Sequence, residues 1–414
     1  MACMSPKILL ISLIFFTLSS CKSKKNTHSQ NNSAQIENSV AMQNNAFAFD
    51  ILKASYEENQ NLIISPYSIS AALAMTYAGA REETAAQISR TLHFSSQQET
   101  FHPEFSYWMK SIAAKGSKND QFTLANSLWY QKDYHFVPSF FDLIKKHYGS
   151  VLHEVDFMGN REKIRLKINQ WVAENTNNLI KNLIEPGTLT EDTRMILVNS
   201  IYFLANWDIA FNKEATRPGK FHLHDKTTTS VPFMYMKDSL KYHQGDNYQV
   251  LELEYSGGDF SMVLILPSDT VYFADFITSI QNNQFKNIVS SLEKKEVEVL
   301  LPSFKSRSKF NLEDVLSRMG MPIAFTNRAN FSNMSQKDDL KIDKVIHEAF
   351  IEVKEEGTEA AASTAVIIVR KTAVINQEKN IFKADRPFLY AIKENTDHSI
   401  LFLGVTADPS KNNE

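Results

Sequence analysis

Residues 355–372 read EEGTEAAASTAVIIVRKT, and their types and spacing suit one chemistry: being cut, and then moving. The stretch Thr358–Val369 holds no Pro and no Gly, and its second half is β-branched and apolar. Such a run predicts a buried strand. Its first half is unlike a core strand, because Ala360, Ala361, Ala362, Ser363 and Thr364 are small enough to slide between neighbouring strands. Gly357 precedes them and gives the chain freedom to swing. Arg370-Lys371-Thr372 follows, and the basic pair is bait for a trypsin-like protease. The composite is a strand awaiting a sheet, ending in a cleavage site.

Catalytic chemistry of the chain's own is not indicated. No GxSxG elbow, HExxH, CxxC pair or P-loop occurs, and the mature body carries no Cys nucleophile. The eleven His residues show no metal-ligand spacing. His222 and His224 stand two apart, as on one solvated strand face. No cofactor is implied. A net charge of −3 and a pI near 6.4 give no reason to expect nucleic acid as partner. No strongly basic helix suggests dependence on a glycosaminoglycan.

The chain has 414 residues, 43% of them apolar, enough for a large core. Residues 1–20 read as an export signal, with Lys7 ahead of the apolar run Ile8–Leu18, which is too short for an ordinary membrane span. Leu18-Ser19-Ser20-Cys21 is what a bacterial lipoprotein signal peptidase recognises, so Cys21 is expected to carry lipid. The alternative is an ordinary signal peptide with an incidental Cys. Cys3 is the other cysteine and lies in the removed segment, so the mature chain has no disulfide. Residues 21–39 are polar and predict a flexible tether, and the product is expected to be exported and lipid-anchored to a bacterial membrane. From 40 to 414 no repeat, linker or composition shift divides the chain, which favours one domain and a monomer.

The elements follow from period and capping. Val40–Ser55 has helical spacing. Ser65-Pro66 sets an N-cap and a first-turn proline before a helix apolar on every side, hence buried. Helices are also predicted over 81–92, 98–114, 138–147, 161–176 and within 272–294. Strands are predicted at 61–64, 122–130, several between 221 and 267, 388–393 and 400–406. Met195–Leu204 is apolar apart from Asn199 and Ser200, as in a central strand covered on both faces. His347, Ala349, Ile351 and Val353 alternate with Glu348, Phe350, Glu352 and Lys354, a period of two. Helices early and strands late give an α+β class.

NLIISPYSISAALAMTYAGA, LVNSIYFLANW, FSMVLILP, the Glu355–Ser363 stretch and FKADRPFLYAIKENTDHSILFLG, in that order, resemble the serpin family over nearly all of 40–409. The resemblance implies three β-sheets, about nine helices and an exposed reactive loop at about 356–380. It makes Glu355, Gly357, Thr358, Glu359, Ala360, Ala361, Ala362 and Ser363 the hinge of an inhibitory loop. It places the reactive bond at Lys371–Thr372, with Arg370 as runner-up. It gathers Ser65, Ser68, Asn199 and His347 in a polar "shutter" beneath the sheet, and sets Trp207 at the "breach" where the loop enters. Partners implied are serine proteases held in a covalent complex, trypsin-like first and elastase-like second. A non-inhibitory binding protein is the alternative, although its hinge would carry bulky, charged or Pro residues. The chain departs from the family at Ser303, where many members place a Lys that pairs with the residue matching Glu355. That ion pair is therefore expected to be absent, leaving the sheet easier to open or Glu355 with another partner.

Overall fold

Ser65 and Pro66 start their helix as their types require: the Ser65 hydroxyl accepts from the Ser68 amide, and every residue from Pro66 to Gly79 except Ala72 is buried. The structure, a computed structural model, describes residues 25–94, 97–116, 121–336, 340–358 and 379–411. Among the described residues there are nine α-helices: α1 (Lys25–Ser55), α2 (Pro66–Gly79), α3 (Glu82–Thr91), α4 (Gln98–Ala113), α5 (Pro138–Tyr148), α6 (Phe157–Asn175), α7 (Phe273–Ser279), α8 (Asn282–Ser290) and α9 (Glu313–Met319). None is long and apolar enough to cross a membrane.

The strands form three sheets. A second sheet holds β1 (Leu62–Ile64), β15 (Ile400–Thr406), β14 (Phe388–Glu394), β8 (Phe260–Pro267) and β7 (Tyr248–Glu254). A third holds β5 (Arg217–His222), β6 (Thr228–Gln244), β9 (Glu293–Pro302) and β13 (Asn380–Lys383). These two run on from each other, because the last residues of β6, Lys241–Gln244, also pair with β7. The first sheet is separate, in the order β10 (Phe304–Asn311), β11 (Ile346–Val353), β12 (Gly357–Thr358), β4 (Met195–Asn206), β2 (Gln121–Gln131) and β3 (Val151–Val155). Because β12 is antiparallel to both β11 and β4, those two long strands run parallel, joined in this order through a strand of two residues.

The main core lies behind the first sheet. Ile201, Phe203 and Ala205 of β4 and Ala349, Ile351 and Val353 of β11 face it, together with α1, α2 and the second sheet. A smaller core on the front joins α6 and the connector after it to Trp129 and Val198, through Ile168, Val172 and Leu183.

Two expectations change. Residues 195–204 are not covered on both faces: Val198 is buried under α6, but Met195, Ile196, Leu197 and Leu204 are only half-buried. The front cover is α6 and the short connector after it, so part of the strand stays open. The helix α1 also reaches back to Lys25, through residues whose composition predicts a tether. No Pro or Gly interrupts 25–39, and extending a helix already nucleated by the packed segment from Val40 costs little per residue. Cys21, where lipid is expected, lies outside the described residues.

Candidate functional site

Two hydrogen bonds close a hairpin at the end of β11. The Lys354 amide donates to the Gly357 carbonyl at 2.9 Å, and the Gly357 amide returns to Lys354 at 3.3 Å. Glu355 and Glu356 form the loop between them. The chain then enters the sheet: Thr358 pairs with Val353 on one side and Ala205 on the other, and Gly357 pairs with Asn206. Gly357 is required by contact, since a Cβ there would lie 2.2 Å from the Ala205 carbonyl oxygen and 2.6 Å from Asn206 Cα. Thr358 is 1% exposed, and its hydroxyl lies 2.6 Å from that of Tyr255. Thr358 is thus seated in the core.

Trp207 organises this corner. Its ring stacks on Tyr255 with centroids 4.5 Å apart. Its indole N–H donates to the Lys354 carbonyl at 2.9 Å and its amide to the Glu356 carbonyl at 2.8 Å. Glu355 has found a partner other than an ion: its carboxylate accepts from the Thr216 hydroxyl at 2.7 Å. The Ser303 amide donates to Pro232 instead. Glu356 is paired with Lys213. Burial alone would raise the Glu352 carboxyl, but Lys354 at 2.7 Å and Lys305 at 3.0 Å hold it below the usual carboxylate range.

Beneath the sheet, the Ser65 amide donates to His347 Nε2 at 3.1 Å, while the Ser65 hydroxyl donates to Leu401 at 2.7 Å. Burial lowers the His347 imidazole to about 3, so it stays neutral, with Nε2 accepting and the proton on Nδ1. Ser68 joins through its amide; its buried hydroxyl has no partner among the described residues. Asn199 sits in β4 in register with Asn126, and its side chain lies outside what is described. Three of the four shutter residues are therefore brought together by α2 and β11.

Glu359, Ala360, Ala361, Ala362, Ser363, Arg370, Lys371 and Thr372 lie outside the described residues. His222 is exposed on β5, and His224 bonds Glu58 at 2.8 Å. Among the described residues no group of three or more His, Cys, Asp or Glu is placed to hold a metal. Sequence reasoning missed Tyr255, Thr216 and Lys213. Thr216 and Glu355 are 139 residues apart, and no local pattern links them.

A family model described as Serpin (serine protease inhibitor) matches residues 42–409. The leukocyte elastase inhibitor of Homo sapiens is 39% identical over 377 residues, covering 88% of this chain and 98% of its own. Tengpin, a thermophilic serpin solved in the native state, superposes with a TM-score of 0.80 at 28% identity, over 89% of this chain and 94% of its own. Thyroxine-binding globulin in complex with thyroxine gives 0.80 at 27% identity, over 90% and 100%.

Proposed function

The chain belongs to the serpin family, and from that premise we propose that it is a suicide-substrate inhibitor of serine proteases, cut at the Lys371–Thr372 bond. The observation that carries this reading is Thr358, paired on both sides between β11 and β4 in the uncleaved chain. The protease serine attacks the Lys371 carbonyl, the peptide bond breaks, and the amine of Thr372 leaves with a proton. Lys371 stays bonded to the protease as an ester. The freed chain then extends β12 down the slot. The register that sets Thr358 against Ala205 would set Ile368 against Met195, the far end of β4. Thr358 points inward, so Ala360, Ala362, Thr364, Val366 and Ile368 follow it, all small or β-branched. Glu359 and Ser363 face out. Thr358 to Lys371, extended at about 3.3 Å per residue, spans roughly 43 Å. The protease is carried that far, and its site is distorted before water can free it.

Trypsin-like enzymes are the first targets, since Lys371 and Arg370 suit an acidic specificity pocket. Val366–Val369 before them and Ala373-Val374-Ile375 after them suit small apolar pockets, so elastase-like enzymes come second. On mixing with trypsin, a complex that survives denaturation is expected, and the released C-terminal fragment should begin at Thr372. Lys371→Ala should weaken trypsin inhibition at least tenfold, with the remainder acting through Arg370, and should spare elastase. A stable complex whose fragment begins well outside 370–374 overturns the reactive bond. A binding role is the second reading, favoured by the likeness to thyroxine-binding globulin. Cleavage with no covalent complex would exclude trapping and mark the chain as a plain substrate or a binding protein.

We also propose that Cys21 anchors the mature protein to a bacterial membrane through lipid, on the motif Leu18–Cys21. Cys21→Ala should move the protein from the membrane to the soluble fraction. An unmodified Cys21 by mass, in membrane-associated wild type, sinks the proposal.

A further inference from the structure

Resting on the inhibitory reading above, we infer that residues 207–216, the connector between β4 and β5, are a clasp on the hinge hairpin, with Lys213 and Thr216 as its positioning residues. The hairpin needs one. Two-residue hairpin loops favour Gly, Asn or Asp with positive φ, yet this loop is Glu355-Glu356, and neither residue has positive φ. Two adjacent carboxylates also repel each other.

Both carbonyls and both carboxylates of the loop are met from the connector. The Phe211 amide donates to the Glu355 carbonyl at 2.9 Å, and the Trp207 amide to that of Glu356 at 2.8 Å. Thr216 donates to the Glu355 carboxylate, and Lys213 neutralises Glu356. The connector is itself fixed to the third sheet, through the Asn212 amide on the Tyr235 carbonyl at 3.1 Å, and its 3-10 turn is capped by the Asn212 side chain on the Glu214 amide. It is a stationary support, whereas the chain beyond Thr358 must move. With Ser303 carrying no charge, Lys213 is, among the described residues, the cation that meets the hinge acids from outside their own strand pair. Holding the hairpin closed keeps Thr358 in register with Val353 and Ala205. Insertion after cleavage then starts from a formed nucleus, ahead of hydrolysis of the ester.

Lys213 is 61% exposed and Glu356 14%, so salt should loosen this pair. The test is amide hydrogen exchange on the intact protein, followed at Lys354, Gly357, Trp207 and Phe211. Lys213→Met combined with Thr216→Val should speed exchange at these amides at least tenfold, and Lys213→Arg alone should leave it near wild type. High salt should move wild type part of the way toward Lys213→Met and leave Lys213→Met itself unmoved. No protease is involved, so the clasp stands or falls separately from the inhibitory reading. In the second arm, the number of inhibitor molecules cleaved per trypsin trapped should rise several-fold in the double variant. Unchanged exchange overturns the clasp. Faster exchange with an unchanged ratio overturns its part in trapping. A wild type that traps no trypsin overturns the inhibitory reading, while the exchange result still decides the clasp.

Discussion

Cleavage at Lys371–Thr372 is expected to raise the midpoint of thermal unfolding by roughly 10 °C or more. The gain comes from the edges that face each other in the first sheet. On the β4 side of β11, the described residues show the single ladder pair Val353–Thr358. On the β11 side of β4, the pairs are Ala205–Thr358 and Asn206–Gly357. An inserted strand reaching Ile368 would satisfy backbone groups on both neighbours at about 1 kcal/mol net per hydrogen bond. It would also bury Ala360, Ala362, Thr364, Val366 and Ile368 against the main core. Ordering the loop opposes this, yet a gain on the order of 10 kcal/mol survives for a strand paired on both sides. Melting curves of intact and cleaved protein, followed by circular dichroism, measure it. A cleaved protein that melts at or below the intact midpoint has not taken its loop into the sheet, and the insertion mechanism is then wrong.

Much of this architecture was legible in local pattern, because local pattern is what sets it. The alternation from His347 to Val353 identifies β11, and its pairing with β10 places His347 opposite Phe310. Ser65-Pro66 marks the start of α2 through a cap that the structure contains. The strand β9 escaped notice because Glu293, Lys294 and Glu296 mask an inward row of Val297, Val299 and Leu301, each fully buried. A count of period-two matches would have found it. The short β3 carries the pattern of a sheet edge, with Val151 half exposed, and gives little apolar signal.

The site divides in the same way. Gly357, Thr358 and Trp207 could be read from the chain, since each is a property of a few adjacent residues. What surrounds them could not. Tyr255 reaches Thr358 from 103 positions away, and Thr216 reaches Glu355 from 139. These contacts exist only once β4, β7 and β11 end at the same corner. The substitution of Ser303 for a cation was visible, and with it the possibility of another partner for Glu355, but the identity of that partner was not, because Thr216 lies on a different connector.

Thr358→Arg is expected to convert the inhibitor into a substrate, with cleavage at the wild-type rate and covalent complex reduced at least tenfold. Thr358 is the first loop side chain in the core, and its hydroxyl meets Tyr255 within the stack formed with Trp207 and the edge contact with Phe203. A guanidinium there would be a buried, unpaired charge, at a cost of several kcal/mol. The side chain would turn outward instead, and a strand whose side chains alternate cannot reverse one position without losing register for all that follow. Insertion would then stall at its first step, while the cleavage site thirteen residues on remains as accessible as before. The ester would be hydrolysed and the protease released. Thr358→Val is the control: it removes one hydrogen bond, worth about 1 kcal/mol, keeps the β-branched shape, and should trap nearly as well as wild type. Gel quantification of complex against cleaved product, with equal amounts of trypsin, separates the cases. If the Arg variant forms complex in wild-type yield, the seat beside Tyr255 is not where insertion begins.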